Sequence, residues 1–216
     1  KKLKYTVSEL KKRAYLAEEA GELPYEDEPV VPLIPRFLQG EEEITGAPRG
    51  TAYHRVMELL DFTKEYDLEG TEAAIEKMCE SGRIAGEMAE SVRPKDILTF
   101  IHTTSGQRMK QAAEENKLRK EQPFVLGIPA RDIYPEMTEE DETMLVQGII
   151  DVCFEEDGEL VVLDYKTDKI WSEQKLLDKY QSQLEYYARA LEQITGKKVR
   201  EKIIYSFTMQ KELAWK

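Results

Sequence analysis

The chain has 216 residues, a net charge of −12 and 34 % charged residues, enough length for one domain with a real core or for a core with an inserted subdomain. No apolar run is long enough to span a membrane, no secretory signal is visible, and the two cysteines, Cys79 and Cys153, form neither a CxxC site nor a disulfide framework, so a reducing cytoplasm is expected. The acidic balance disfavours unaided binding of nucleic acid, which relies on Lys and Arg to neutralise phosphate.

Thr6-Val7-Ser8-Glu9 reads as a capping box opening a helix to about residue 20. Residues 22–35 hold Pro24, Pro29, Pro32 and Pro35 among acids, which makes an extended linker. After a break at 46–51, apolar positions 52, 53, 56, 57, 59 and 60 predict a helix over 51–62. Helical stretches follow at 71–80, 83–92, 94–102 and 105–119, with Pro94 suited to a first turn; together they read as a helical insertion over about 64–119. From Glu121 the character changes: 122–128 reads as a strand, 129–142 as a loop, and 145–154 and 160–166 as two more strands. Ser172 caps an amphipathic helix over about 173–195, Gly196 closes it, and 199–209 gives a last strand. This order predicts an α/β core on a mixed sheet over 46–216, preceded over 1–45 by a helix and a Pro-rich linker. A chain that begins at Lys1 rather than Met is expected to be part of a longer one.

The strands at 145–154 and 160–166 flank Asp157-Gly158, a strong hairpin signal, because a type I′ turn needs positive φ at both central residues. Paired residues then have numbers summing to 315, and Asp151 falls opposite Asp164. Their Cβ atoms would lie roughly 4.5–5.5 Å apart. Alternation puts Lys166 on the face of Asp164. Facing carboxylates destabilise a strand pair unless something compensates. Protonation of one acid, neutralisation by Lys166, or a hard divalent cation between them would each do so. The cation accounts for both acids and gives Lys166 a place beside a phosphate. Singly, each residue is more often an ordinary surface charge; three in one register, inside apolar runs, favour a site.

Other residues are weaker candidates. A lone helical histidine such as His54 is more often a core or surface residue than a ligand, and imidazole suits softer metals better than Mg²⁺. Glu58, one turn on, is either its orienting partner or a surface acid. Gln183 and Tyr187 share a face of the long helix. Tyr180, Leu184 and Leu191 in that stripe are most simply core. A buried Gln183 amide needs partners, which makes it a candidate contact to a nucleic-acid backbone or to water at a metal. No GxxxxGK[ST], GxSxG or HExxH motif is present, and two histidines exclude a histidine-rich metal site.

Taken in order, Gly50-x-x-x-His54, Glu121-x-Pro123-Phe124, Gly148-Ile149-Ile150-Asp151, Asp164-Tyr165-Lys166-Thr167 and Gln183-x-x-x-Tyr187 resemble the RecB-type branch of the PD-(D/E)xK nuclease superfamily. Each block alone is weak, and the ordered set is strong. The words GTAYHRVMELLDF and YQSQLEYYARAL are most similar to the nuclease domains of AddAB-type helicase–nucleases. The resemblance implies a restriction-endonuclease-like core, a central mixed sheet flanked by helices. It implies Mg²⁺-dependent hydrolysis of DNA phosphodiesters, with Mn²⁺ as a substitute, by an exonuclease domain acting on one strand in recombination repair. It implies metal ligation by His54, Asp151, Asp164 and the Tyr165 carbonyl. Lys166 would position or activate the attacking water and stabilise phosphorane-like charge. Gln183 and Tyr187 would support the site or the DNA, and Glu121 would play a supporting part only. The implied partners are DNA, helicase motor domains on the same full-length chain, and an AddB-type partner. B-type partners hold an iron–sulfur cluster through four cysteines; this chain lacks them, which favours the A-type and no such cluster. The competing reading is a catalytically silent DNA-binding or docking module of the same fold, which would be marked by loss of the Asp/Asp/Lys set.

Overall fold

The computed structural model describes residues 4–6, 48–129 and 143–216. The helix expected to reach residue 20, the linker over 22–35 and most of the loop over 129–142 lie outside the described residues. Lys4–Thr6 forms a short strand, β1, that the sequence had not suggested. Among the described residues, five helices follow: α1 (Pro48–Leu59), α2 (Leu68–Glu80), α3 (Gly86–Glu90), α4 (Pro94–Ile101) and α5 (Thr104–Glu114). Then come β2 (Leu118–Pro129), β3 (Thr143–Glu156), β4 (Glu159–Lys166), α6 (Glu173–Thr195), β5 (Val199–Ser206) and β6 (Lys211–Trp215).

Local chemistry sets most boundaries. The Asp67 carboxylate accepts from Gly70 N at 2.7 Å at the start of α2. The Thr103 hydroxyl accepts from Gly106 N at 3.1 Å at the start of α5, and Ser172 does the same for α6. Each satisfies an orphan N–H of a first turn. Gly196, at φ 70, closes α6 where expected. Two differences from expectation are larger than the shifts of a few residues elsewhere. α5 ends at Glu114 rather than near residue 119, because Asn116 takes a left-handed φ of 58 and Leu118 already belongs to β2. The last expected strand is two, since the chain turns over 207–210 with Gln210 at φ 51. That turn is built of Phe, Thr, Met and Gln and carries no Gly or Asn signal.

The sheet is mixed. β3 is its longest strand, and β2 runs antiparallel to it from Leu118↔Phe154 to Pro129↔Thr143. Beyond β3, its second half pairs antiparallel with β4 and its first half parallel with β1. β4 then pairs parallel with β5, and β5 antiparallel with β6.

Apolar side chains leave both faces of the sheet into two clusters. One joins Tyr53, Val56, Met57, Ile97, Phe100 and Met109 of the helical block to Val152, Phe154, Val161, Leu163 and Tyr165. The stretch expected as an insertion therefore shares this core with α1 and the sheet. Phe100 meets Tyr165 and Tyr205 edge-on, with centroids 5.3 and 4.7 Å away; such pairs add about 0.5–1.5 kcal/mol each beyond burial. The second cluster joins Leu176, Tyr180, Leu184, Tyr187 and Leu191 of α6 to Phe124, Leu126, Ile150, Cys153, Leu160 and Val162. On β4 the alternation is regular, so with Tyr165 anchored under the helical block, Asp164 and Lys166 point toward α6.

β2 and β3 break that alternation at one level. Ile150 and Cys153 both belong to the α6 cluster, and Val152 and Phe154 to the other, so β3 changes face at Asp151. β2 changes face opposite it: Leu118 packs on the helical block, while Phe124, Leu126 and Ile128 pack under α6. Ladder pairs flank the crossing at Lys120↔Val152 and Gln122↔Ile150. Between them Glu121 sits at φ 49, a costly conformation for a residue with a side chain.

Candidate active site

The β3–β4 hairpin has the expected register. Its pairs run from Glu156↔Glu159 to Val152↔Leu163, all summing to 315, around a turn with φ 53 at Asp157 and 86 at Gly158. The ladder ends one step short of Asp151 and Asp164. There Asp151 Oδ2 replaces a backbone partner and accepts from Tyr165 N at 3.0 Å. The strands thus part where the two acids stand. Asp151 is 5 % and Asp164 1 % exposed, so neither acid is a surface charge.

On the α1 side of this opening, three ligand groups converge. His54 Nδ1 lies 3.2 Å from Asp151 Oδ2. Ligand atoms of His54, Glu121 and Asp151 all lie within 4.8 Å of one another. α1, β2 and β3 each supply one of them. The strained Glu121 backbone and the face change at Asp151 bring these two carboxylates together at matching positions of adjacent strands. Lys120 Nζ donates to Leu60 O at 2.6 Å, tying β2 to the residue that follows α1 and so holding the Glu121 strand against the His54 helix. One imidazole and two carboxylates form a donor set able to hold a divalent metal ion.

On the α6 side, Asp164 is engaged differently. Its Oδ2 forms an ion pair with Lys166 Nζ, and its Oδ1 accepts weakly from Gln183 Nε2 at 3.5 Å. Lys166 Nζ also donates to Gln183 Oε1 at 3.3 Å. Gln183 Nε2 donates to the Tyr187 hydroxyl at 2.6 Å, and Tyr187 rests edge-on against Phe124. Burial raises the Asp164 carboxyl from its ordinary 3.8 to about 6, with Lys166 opposing and Asp151 adding to the rise. The two acids therefore feel each other, although one is turned to His54 and the other to Lys166 and Gln183. The Tyr165 carbonyl faces the same opening. Its own N–H points to Asp151, and N–H and C=O of one strand residue share a side. The next carbonyl, of Lys166, points the opposite way and accepts from Phe207 N at 2.9 Å.

The structure thus gathers His54, Asp151, Asp164, Tyr165, Lys166, Gln183 and Tyr187 around one opening. Glu58 is held by Arg55 Nη1 at 2.6 Å. Two features go beyond the sequence reading. Glu121, given a supporting part, has a carboxylate oxygen within 4.8 Å of the His54 and Asp151 ligand atoms, and nothing local in the sequence fixes the β2–β3 register that sets it there. Tyr180, read as core, lays its ring on Lys166 Nζ, 4.2 Å from the centroid. The YxxQxxxY spacing, with Tyr180, Gln183 and Tyr187 on one helical face, was the available signal.

A helix-flanked mixed sheet with buried acids and a lysine where two strands part defines a nuclease fold of the PD-(D/E)XK type. The model of the PD-(D/E)XK nuclease superfamily matches residues 14–214, and the chain belongs to that superfamily. Among proteins, the chain is similar to the A-type component of the ATP-dependent helicase/nuclease of Clostridium novyi (strain NT), with 38 % identity over 215 residues, 96 % of this chain and 17 % of that protein. The like-named protein from Lachnoclostridium phytofermentans is 34 % identical over 218 residues, 85 % of this chain and 16 % of that one. That of Acetivibrio thermocellus is 38 % identical over 211 residues, 94 % and 16 % respectively. The chain spans about a sixth of the length of these curated relatives.

Proposed function

We propose that this chain is the nuclease domain of a helicase–nuclease, and that it hydrolyses phosphodiester bonds of a single DNA strand as a Mg²⁺-dependent exonuclease in recombination repair. The observation that carries this is the convergence of His54, Glu121 and Asp151 within 4.8 Å, beside the Asp164–Lys166 pair at the open end of the hairpin. His54, Glu121 and Asp151 would hold the cation, with Asp164 and the Tyr165 carbonyl completing the set. Bound there, Mg²⁺ supplies Lewis acidity to the scissile phosphate and acidifies the attacking water.

The remaining work belongs to side chains. Lys166 puts a buried ammonium where negative charge grows on the phosphate, in a setting that screens it little. Gln183 orients that ammonium through Oε1 and Asp164 through Nε2, and Tyr187 fixes the amide. With a net charge of −12, the chain relies on the rest of the protein to bring the strand to it. A helicase motor on the same full-length chain and an AddB-type partner in the cytoplasm would serve that need.

The test uses end-labelled single strands, with free or blocked termini, incubated with the full-length protein in Mg²⁺ or in EDTA. Wild type is expected to release short products from free ends only in Mg²⁺, and Asp164→Ala and Lys166→Ala to be inactive. Equal cleavage by wild type and both variants would remove the assignment.

A further inference from the structure

Asp164 faces two demands on the reading above. It is the ion-pair partner of Lys166, and it is wanted as a ligand at the opening. A carboxylate shared with a cation holds an ammonium less firmly, so Lys166 needs other acceptors to keep its place. α6 supplies them from two positions three apart. Gln183 Oε1 accepts from Nζ at 3.3 Å, and the Tyr180 ring covers Nζ with its centroid at 4.2 Å. A buried ammonium over an aromatic face is held by the ring quadrupole, most strongly where water is excluded.

The ring itself is anchored. The Tyr180 hydroxyl donates to Asp168 Oδ2 at 2.7 Å, and Lys179 Nζ donates to Asp168 Oδ1 at 2.6 Å. Asp168 lies two residues after Lys166 on the connection into α6, so the lysine strand and the helix are stapled beside the ammonium. Burial, then the Asp168 contact, holds the Tyr180 hydroxyl protonated, so it stays a donor to Asp168. Lys179 Nζ is also 5.1 Å from the ring centroid, but its charge is met by Asp168.

We infer that Tyr180 is a positioning residue: its ring, anchored by Asp168, holds the Lys166 ammonium so that Asp164 is available to the cation site. This rests on the nuclease reading for its activity arm and not for its binding arm. In the full-length protein, Tyr180→Leu is expected to lower kcat roughly tenfold with KM little changed, whereas Tyr180→Phe, which keeps the ring, falls about twofold. Phenylalanines carrying one, two and three fluorines at position 180 weaken the ring quadrupole without removing the ring. They are expected to lower log kcat in a graded series that a purely space-filling ring would not produce.

Mn²⁺ affinity, read by electron paramagnetic resonance without nucleotide and with Asp151→Asn as blank, needs no turnover. Tyr180→Leu should weaken it several-fold, because Lys166 then leans on Asp164. A flat fluorine series in an active enzyme whose Lys166→Ala variant is dead overturns the inference and leaves the nuclease reading standing. If instead no variant or wild type cleaves DNA, the nuclease reading falls, and unchanged Mn²⁺ affinity in Tyr180→Leu overturns the inference too.

Discussion

The β3–β4 hairpin carries charge at both ends, and the two ends treat it differently. At the turn, Glu156 meets Arg108 at 2.8 Å and also Arg200, Asp157 meets Arg200 at 3.1 Å, Glu201 meets Arg108 at 2.7 Å, and Glu155 meets Lys197. These acids and bases, with Lys117 near Glu155, meet in partial contact with water, so none of them is costly. At the open end Glu121, Asp151 and Asp164 face Lys166 and a histidine, and the two aspartates and the lysine are buried. Burying two carboxylates close together costs several kcal/mol, and a cation beside them lowers that cost. Charge held in partial contact with water marks structure, and carboxylates buried close together mark a place for a ligand.

The sharpest way to break this contrast is to neutralise one acid at the open end. Asp151→Asn should reduce DNA cleavage by roughly 10³-fold or more while leaving the cooperative unfolding of the protein intact. In EDTA, Asp164→Asn should raise stability. The sign follows from the shift: the folded-state carboxyl is raised from 3.8 to about 6, so its favourable contribution is full below the lower value and is lost as pH rises through the higher. The loss is on the order of 2–3 kcal/mol. Carboxylates with lowered values, such as Glu156 and Asp168, run the other way. The difference between wild type and variant, followed by urea unfolding from pH 4 to 7, isolates the Asp164 contribution. A wild type that gains on the variant over that range would contradict it.

These features were unequally visible in the sequence. The hairpin was legible because one dipeptide, Asp157-Gly158, dictates its turn and hence every pair up to Val152↔Leu163. α6 was legible to both ends because a serine cap and a terminal glycine bracket one amphipathic period. β2 was visible as a strand, but its register was not, since a register set across a long connection depends on packing against α6 rather than on any turn. The place of Glu121 beside Asp151 was hidden for that reason. The face change at Glu121 and Asp151 was equally hidden: a positive φ at a glutamate has no compositional sign. Tyr180 looked like core because its stripe is core; only the neighbouring Lys166 makes the ring polar in its use.

Glu121 sharpens the contrast at intermediate scale. Glu121→Gln removes one charge from the donor set while keeping shape, so Mn²⁺ should bind roughly tenfold more weakly. Cation-induced stabilisation follows the same affinity. Isothermal titration of both proteins reads this directly, and equal affinities would return Glu121 to a supporting part.

The smallest effect belongs to the turn. Glu156 is held below its ordinary carboxyl range, first by its bonds from Arg108, so its contribution is present above pH 4.5 and fades as pH falls. Because the pair is partly hydrated, Glu156→Gln should cost no more than about 1 kcal/mol. The cost should shrink in 1 M salt, where surface charges are screened within about 3 Å. Cleavage should be unchanged, since the turn lies at the far end of the hairpin from the opening. A salt-insensitive loss, or a drop in cleavage rate at unaltered stability, would mean that the two ends of the hairpin communicate and that matched charge at the turn is part of the site.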